Sequence, residues 1–497
     1  MKIRTTIIAI ASLFLSSQVR AQDIIDTSIL FSQSNYGGSA RVQAIGGAQV
    51  SLGGDLSSIT SNPAGLGMFN RSSVSLSTGL NFINTKSDYF GTTTPDQKAN
   101  LNVPNLSLIL HKEINNKYSN FKSASFGISY SRINDFHQQV TYQGRSESSM
   151  LDFFLQNAQG VNIQDFEDQN SFDYSSLEGL AARTYLIFPT SDFDSLGFDD
   201  EYVSDILGTP LQTETISVKG AQTQVSLSYG ANYDDVLFLG AGIGLTSIDY
   251  NSRKSYVESN FVYDNPDDPD YINPLNQYTL EENLSITGGG INATLGLMFR
   301  PVDFLQLGGS FTTPTYYNLD DEYDASLSVS YNDLENEYAE SDIIISNYSL
   351  TTPLKLSGGA TVFIGKYGFI SADVEMLNYG KNNLKSNDYP TLEDNQYIAA
   401  SYDKSYNVKI GGEFRYDIFR FRGGYAQYDD PTIEKSNGKQ IISGGVGVRV
   451  KKYYLDLAVV NTANDTSYSP YRIGNNSPIA NIRNNNTKGL ITFGVNF

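Results

Sequence analysis

Alternation is the feature that most limits what this chain can become. Val74, Leu76, Leu80 and Phe82 alternate with Ser73, Ser75, Ser77 and Asn81. Ala124, Phe126, Ile128 and Tyr130 alternate with Ser125, Gly127, Ser129 and Ser131, and Val225, Leu227 and Tyr229 with Gln224, Ser226 and Ser228. Leu237, Leu239, Ala241, Ile243 and Leu245 stand opposite Gly240, Gly242 and Gly244. A period of two is that of a strand with one apolar face and one small or polar face. No run of 18 apolar residues follows the N-terminus, so a spanning helix is not expected.

A soluble sandwich alternates as well. Three details favour a transmembrane barrel. Short connections at 232–235, 300–303, 365–368 and 416–419 alternate with long acidic ones, the short-periplasmic, long-extracellular asymmetry of outer-membrane barrels. The non-apolar faces carry Gly, Ser, Asn, Gln and scattered charge rather than a second core. The chain ends "LITFGVNF", where Ile491, Phe493, Val495 and Phe497 alternate up to a terminal Phe that resembles the last-strand signal of bacterial outer-membrane proteins. Strands are predicted near 72–86, 101–112, 121–136, 213–231, 236–250, 280–299, 304–316, 346–365, 368–379, 396–416, 418–428, 439–451, 453–461 and 487–497. The expected fold is all-β: a fourteen-stranded antiparallel transmembrane β-barrel over 72–497. Long extracellular loops are expected at 137–212, 251–279, 317–345, 380–395 and 462–486.

The first 21 residues carry Lys2 and Arg4, an apolar run from Ile7 to Leu15, and Val19-Arg20-Ala21. They read as a secretory signal peptide, too short to span a membrane. Its removal takes away three positive charges and moves the formal net charge from −20 to −23. Nucleic acid is an improbable partner at that balance. With no Cys, a disulfide framework or thiolate metal site is excluded. His111 and His137 are the two histidines, and neither has the context of a haem ligand or a nucleophile pair. No metal, cofactor or enzymatic activity is expected. Without Trp, an interfacial girdle must use Tyr and Phe. The acidic run around Asp264, Asp267, Asp268 and Asp270 lacks the EF-hand glycine and terminal Glu.

Two segments do not fit a wall. Residues 137–212 hold two helix-like stretches, 149–158 and 176–188. Leu151, Phe154 and Leu155 share one helical face, with Phe153 beside them, and Leu177 and Leu180 share another. Either the two helices pack on each other as a cap, or they form an apolar groove that receives a ligand. Residues 22–71 precede the first strand. There, Asp55 reads as a helix start and Asn62-Pro63 as its stop.

In the last third, Lys409, Glu413, Arg415, Arg420 and Arg422 alternate with Val408, Ile410, Phe414, Phe419 and Phe421. Asp373 and Glu375 behave likewise. A charge facing lipid would cost about 2–4 kcal/mol, so these groups are expected inside the lumen. They would form either an acid–Arg network tying wall to plug, or a receptor for a ligand carboxylate.

The stretch 46–69, "GGAQVSLGGDLSSITSNPAGLGMF", resembles the N-terminal hatch signature of the FadL/TodX family of outer-membrane hydrophobic-compound transporters. Looser resemblances follow in order at 304–317, 352–365, 371–380, 408–431 and 453–460. The resemblance implies a barrel plugged by its N-terminal segment 22–71, with Asp55, Asn62, Pro63, Ala64 and Gly65 as hatch residues. It also implies passive uptake of hydrophobic compounds such as long-chain fatty acids, caught at the extracellular loops and released sideways through the wall. The implied partners are that small molecule, outer-membrane lipid and lipopolysaccharide, and the barrel-assembly machinery. Burial of a methylene gives roughly 0.8 kcal/mol, so a path of apolar contacts would suffice for a long acyl chain. An alternative role is a surface shuttle or adaptor of a secretion system. That role needs an exposed docking surface rather than an apolar tunnel.

Overall fold

The computed structural model describes residues 24–33, 37–114, 118–171, 173–190, 201–265, 268, 270–474 and 477–497. The expected signal peptide, Asp267 and parts of segments 22–71 and 137–212 lie outside them. Among the described residues, fourteen antiparallel staves close into a barrel. β1 (Ser73–Tyr89) and β2 (Thr92–Glu113) begin the ring. β3 follows in two parts, Phe121–Asp135 and Gln138–Arg145. β4 (Thr209–Tyr233), β5 (Leu237–Val262) and β6 (Leu275–Val302) are the longest uninterrupted strands. β7 is Leu305–Thr312 continued by Tyr316–Tyr331, and β8 is Ile344–Thr351 continued by Lys355–Phe363. β9 (Gly368–Asn378), β10 (Lys404–Tyr416), β11 (Phe419–Tyr428), β12 (Lys439–Val450), β13 (Tyr453–Tyr468) and β14 (Ala480–Asn496) complete it. β14 pairs with β1 from Ser73↔Asn496 to Asp88↔Asn481, so the backbone ladder returns to its start.

Outward apolar side chains cover one end of each stave. Val225, Leu227 and Tyr229 on β4, Leu239, Ile243 and Leu245 on β5, and Leu295, Leu297 and Phe299 on β6 are all exposed. On a closed wall, such a belt suits lipid. Beyond the belt the staves continue as strand, which corrects the loop expectations. β5 runs to Val262 and β6 starts at Leu275, β7 runs to Tyr331, β13 runs to Tyr468, and β14 starts at Ala480. Above the lipid the outer face is polar, so the contrast that marks a strand fades while the ladder persists. The strand expected from 396 is instead helix to Ser401, and β10 starts at Lys404. β7 and β8 are each interrupted beside a proline, Pro314 and Pro353, which have no N–H for the ladder.

Helices fill the interior and cover one end. α1 (24–32) packs Ile24, Ile25 and Phe31 against Phe136, Ile248, Ile286 and Leu350 of the wall. α2 (Ala40–Ala44), α3 (Ser58–Ser61) and a 3-10 turn (Pro63–Met68) follow. α4 (Met150–Ala158), α5 (Ile163–Glu167) and α6 (Leu177–Arg183) sit over the far end of the staves, and α7 is Leu392–Ser401.

Candidate functional site: the filled lumen, its seam and its cap

The N-terminal segment rests on the wall where the wall has no side chains. Gly230, Gly240 and Gly296 are in register across β4, β5 and β6. Pro63 and Ala64 press onto Gly230 and Gly240, and Asn62 onto Gly296, so closely that a Cβ at any of the three would collide with them. Asn62 donates to the carbonyls of Val50 (2.6 Å), Gly309 (3.3 Å) and Leu297 (3.4 Å), and its Oδ1 accepts from the Ala64 amide (3.1 Å). Asn62 therefore caps the 3-10 turn, and Pro63 opens that turn rather than only ending α3. A second seat, Gly411 and Gly424 on β10 and β11, receives Ile45 and Gly46. Gly65 lies against Ser58 and Gly53 within the segment.

Asp55 does not cap α3, whose N-cap is Ser57. Its carboxylate accepts from the Ser39 hydroxyl (3.0 Å) and the Ser57 amide (3.0 Å), and pairs with Arg41 (3.6 Å). Arg41 reaches the wall at Glu413 (3.4 Å). Glu413 also holds Arg422 (2.7 Å) and Arg415 (2.8 Å). Arg422 continues to Asp456 (2.8 Å), which in turn binds Arg449 (2.8 Å). The chain of charge spans β10, β11, β12 and β13. Arg41, Arg449 and Asp456 join the charges expected in the lumen, and Asp456, between outward Leu455 and Leu457, has the parity of a lumenal residue. Nearby, Asp373 accepts from the Val50 amide (2.8 Å), and Glu375 from Asn407 (2.9 Å) and Lys409 (3.4 Å). Arg420 is not part of the network. It lies at the turn and donates to the carbonyls of Asp417 and Phe419 (2.7 Å each).

The opposite flank differs. β2 pairs with β1 along its length, but with β3 only from Asn105↔Ser131 to Glu113↔Ser123. Above that point the backbone ladder is replaced by side chains. Asp135 accepts from Asn81 (2.6 Å), Asn100 (3.1 Å) and Asn102 (3.1 Å), and from His137 (2.8 Å). Leu101 is 78% exposed on the outer face beside this seam. Behind it, Arg132, Asp135, Lys439, Lys488 and Asn102 line an interior cavity.

The cap is closed. Phe154 and Leu180 are fully buried, Leu151 and Phe153 nearly so, and Leu155 and Leu177 pack against them from the side. These six side chains meet each other and wall residues Tyr278, Leu280 and Leu327 rather than lining an open groove. The physical reason is area: two short amphipathic helices over a ring of inward Tyr and Leu bury their faces there. Ser149 caps α4, and the buried Glu258 of β5 accepts from the Met150 amide (2.8 Å) and the Ser149 hydroxyl at that helix start. Burial raises the Glu258 carboxyl, and pushes Glu214 up to about 7. Among the described residues, no group of three His, Cys, Asp or Glu could hold a metal ion.

These features define a class: a transmembrane β-barrel of the outer-membrane type whose lumen holds its own N-terminal segment. Among solved structures the chain is similar to the Pseudomonas putida toluene transporter TodX, with 13% identity, 94% of this chain and 99% of that chain covered, and a TM-score of 0.52. It is similar also to a Pseudomonas aeruginosa FadL homologue, with 13% identity, 93% and 99% covered, and a TM-score of 0.52. A deltaS2 mutant of the TodX monoaromatic hydrocarbon channel aligns at 13% identity over 92% and 98% of the two chains, with a TM-score of 0.54. No family model and no curated protein matches the sequence. The fold is that of the FadL/TodX outer-membrane channels.

Proposed function

We propose that this protein is a passive outer-membrane channel for hydrophobic or amphiphilic small molecules, with long-chain fatty acids among its passengers. The observation that carries the reading is the seam between β2 and β3. There, a closed ladder gives way to side-chain bridges at Asp135, beside an interior cavity and an exposed Leu101. A passenger enters as the cap parts and crosses the lumen past the N-terminal segment 22–71, which acts as the hatch. It leaves through the seam into the lipid. Leu151, Phe153, Phe154, Leu155, Leu177 and Leu180 then serve as the closure that must open, not as a standing groove. TodX and the FadL homologue share the fold, and TodX is a toluene transporter, which supports a hydrophobic passenger.

The test is entry of a labelled long-chain fatty acid, and separately of toluene, into cells with and without the protein. Leu101→Asp sets a charge at the rim of the seam on the lipid side. Uptake is expected to fall while heat-modifiable gel mobility still reports an assembled barrel. Equal uptake with and without the protein would sink the proposal.

A further inference from the structure

The lumen contains a cavity of about 160 Å³ between α1 and the rest of the hatch. An apolar path was expected, yet this cavity is lined largely by Thr, Ser, Gln and Asn. Alternation explains the difference: on each stave the leucines and phenylalanines face lipid, so the small polar residues face inward.

The polar lining is not self-satisfied. Gln222 of β4, 3% exposed, donates through its amide nitrogen to the Phe31 carbonyl (3.0 Å) and the Tyr317 hydroxyl (2.7 Å). A carbonyl only accepts, so the orientation of that amide is fixed. Its Oε1 then has no hydrogen-bond partner among the described residues. Gln49, 7% exposed, leaves its own Oε1 unpartnered, and so does the Thr60 hydroxyl. All three residues line the same cavity, Gln49 and Thr60 from the hatch and Gln222 from the wall. Buried acceptors without a donor are costly, and native proteins rarely keep them so. The group that satisfies the Gln222 oxygen must donate. The Gln49 amide, with no hydrogen bond on its nitrogen among the described residues to fix it, can turn either atom to the cavity, and the Thr60 hydroxyl can give or take, so both suit a hydroxyl, which does both. A hydrocarbon has no donor, and a carboxylate brings only acceptors. Lys355 and Lys409 also line the cavity, but both lie against Glu375, at 4.0 Å and 3.4 Å.

We infer that this cavity is a site for a neutral, hydroxyl-bearing head group, with the chemistry of a glycerol or sugar head on an amphiphile. The inference deepens the channel reading, on which it rests for passage of the ligand but not for its binding. A head group held by Gln222 on one side and by Gln49 and Thr60 on the other bridges wall and hatch. Its arrival is therefore felt by the segment that fills the pore.

The experiment uses the purified full-length barrel in a hydroxyl-free detergent, with labelled 1-O-dodecylglycerol, dodecanoate, dodecane and glycerol as probes. Dodecylglycerol is expected to be retained about tenfold more tightly than dodecane or dodecanoate. Gln49→Leu and Gln222→Leu are each expected to remove about tenfold of that affinity without changing dodecane retention. Gln49→Leu serves if the Gln222 variant fails to assemble. Glycerol bound with the same dependence on Gln49 also supports the site, and shows that a free polyol suffices. Equal retention of dodecylglycerol and dodecane, tighter dodecanoate, or dodecylglycerol affinity indifferent to both variants would overturn the inference. Flux measured in parallel separates the two claims. Binding without flux counts against the channel alone, and flux without hydroxyl-dependent binding counts against this site alone.

Discussion

The two flanks of the lumen are built on opposite terms. Along β10 to β13 the ladder is complete, and charges run from Arg41 through the buried Glu413, Arg422 and Asp456 to Arg449. Along β2 and β3 the ladder stops within the apolar belt, and one carboxylate, Asp135, links three asparagines in its place. A wall that must stay shut to water yet yield to a solute needs a fixed side and a yielding side. The exit proposed above lies on the flank whose backbone hydrogen bonds are missing.

Breaking the fixed flank should have the largest effect. Arg422→Leu removes the cation shared by Glu413 and Asp456, both of which are buried. Breaking a buried ion pair costs about 3–5 kcal/mol, and the loss here falls at the lower end because Glu413 keeps Arg41 and Arg415 and Asp456 keeps Arg449. The variant is expected to lose its heat-resistant mobility at clearly lower temperature than the parent, and to admit large antibiotics into expressing cells. An unchanged unfolding temperature would mean that the network contributes nothing to the fixed flank.

Asp135→Ala sharpens the other side. It removes a charged acceptor from Asn81, Asn100 and Asn102, a local loss of about 1.5–3 kcal/mol. Faster amide exchange is expected at 98–104, with β10 to β13 unaffected. Exchange that rises equally on both flanks would erase the distinction between them.

How much of this was legible beforehand follows from which face carried contrast. Val225, Leu227 and Tyr229 against Gln224, Ser226 and Ser228 gave away both β4 and its inward face, because lipid outside and polar groups inside are opposites. Residues 251–262 gave no such signal: Tyr256 and Glu258 point inward, where both are buried, while their neighbours meet water, so the polarity along the strand is scrambled. The prolines at 314 and 353 mark breaks in the ladder, although the alternation around them reads as continuous strand. Asp373, Glu375, Lys409, Glu413, Arg415 and Arg422 followed from parity, whereas Arg41 could not, since its partner Glu413 is distant in sequence and nothing local marks it. Helix 149–158 was legible, whereas the one expected over 176–188 ends at Arg183 and gives way to a turn and a short strand at Phe188–Pro189. The closure of the two helices was one of two readings that sequence alone left open. Only the wall opposite them, with Tyr278 and Leu327, decides it.

Gly240→Ala tests whether the hatch is seated against the wall independently of the ion network. The added Cβ would collide with the Pro63 carbonyl carbon and the Ala64 amide nitrogen, which are backbone atoms and cannot rotate away. Overpacking of this kind costs about 1–3 kcal/mol, and it falls on the hatch rather than on the ladder. Trypsin cleavage near Arg41 is expected to quicken while the barrel itself remains resistant. The same substitution at Gly423, where a Cβ meets nothing within 4 Å, provides the control and should leave cleavage unchanged.

The smallest effect is expected in the cap, away from both flanks. Glu214 on β4 lies well above the exposed belt. It accepts from Tyr142, and burial raises its carboxyl to about 7, against the pull of Lys254 and the hydrogen bonds of Tyr142 and Tyr468, with Glu282 adding to the rise. A carboxyl whose folded pKa is raised holds its proton in the folded cap at pH values where the unfolded chain has lost it. Its contribution is complete below the ordinary carboxylate range and is lost as pH rises through about 7. Amide exchange in 139–145 and 210–216 should therefore be slower at pH 5 than at pH 8 after correction for intrinsic rates. Glu214→Gln should flatten that dependence, with the seam at Asp135 and the hatch near Arg41 unchanged. A pH response that survives the substitution would assign it to another group. One that spread to the hatch would show that cap and pore open as a unit, and the yielding side would then extend from the seam to the extracellular end.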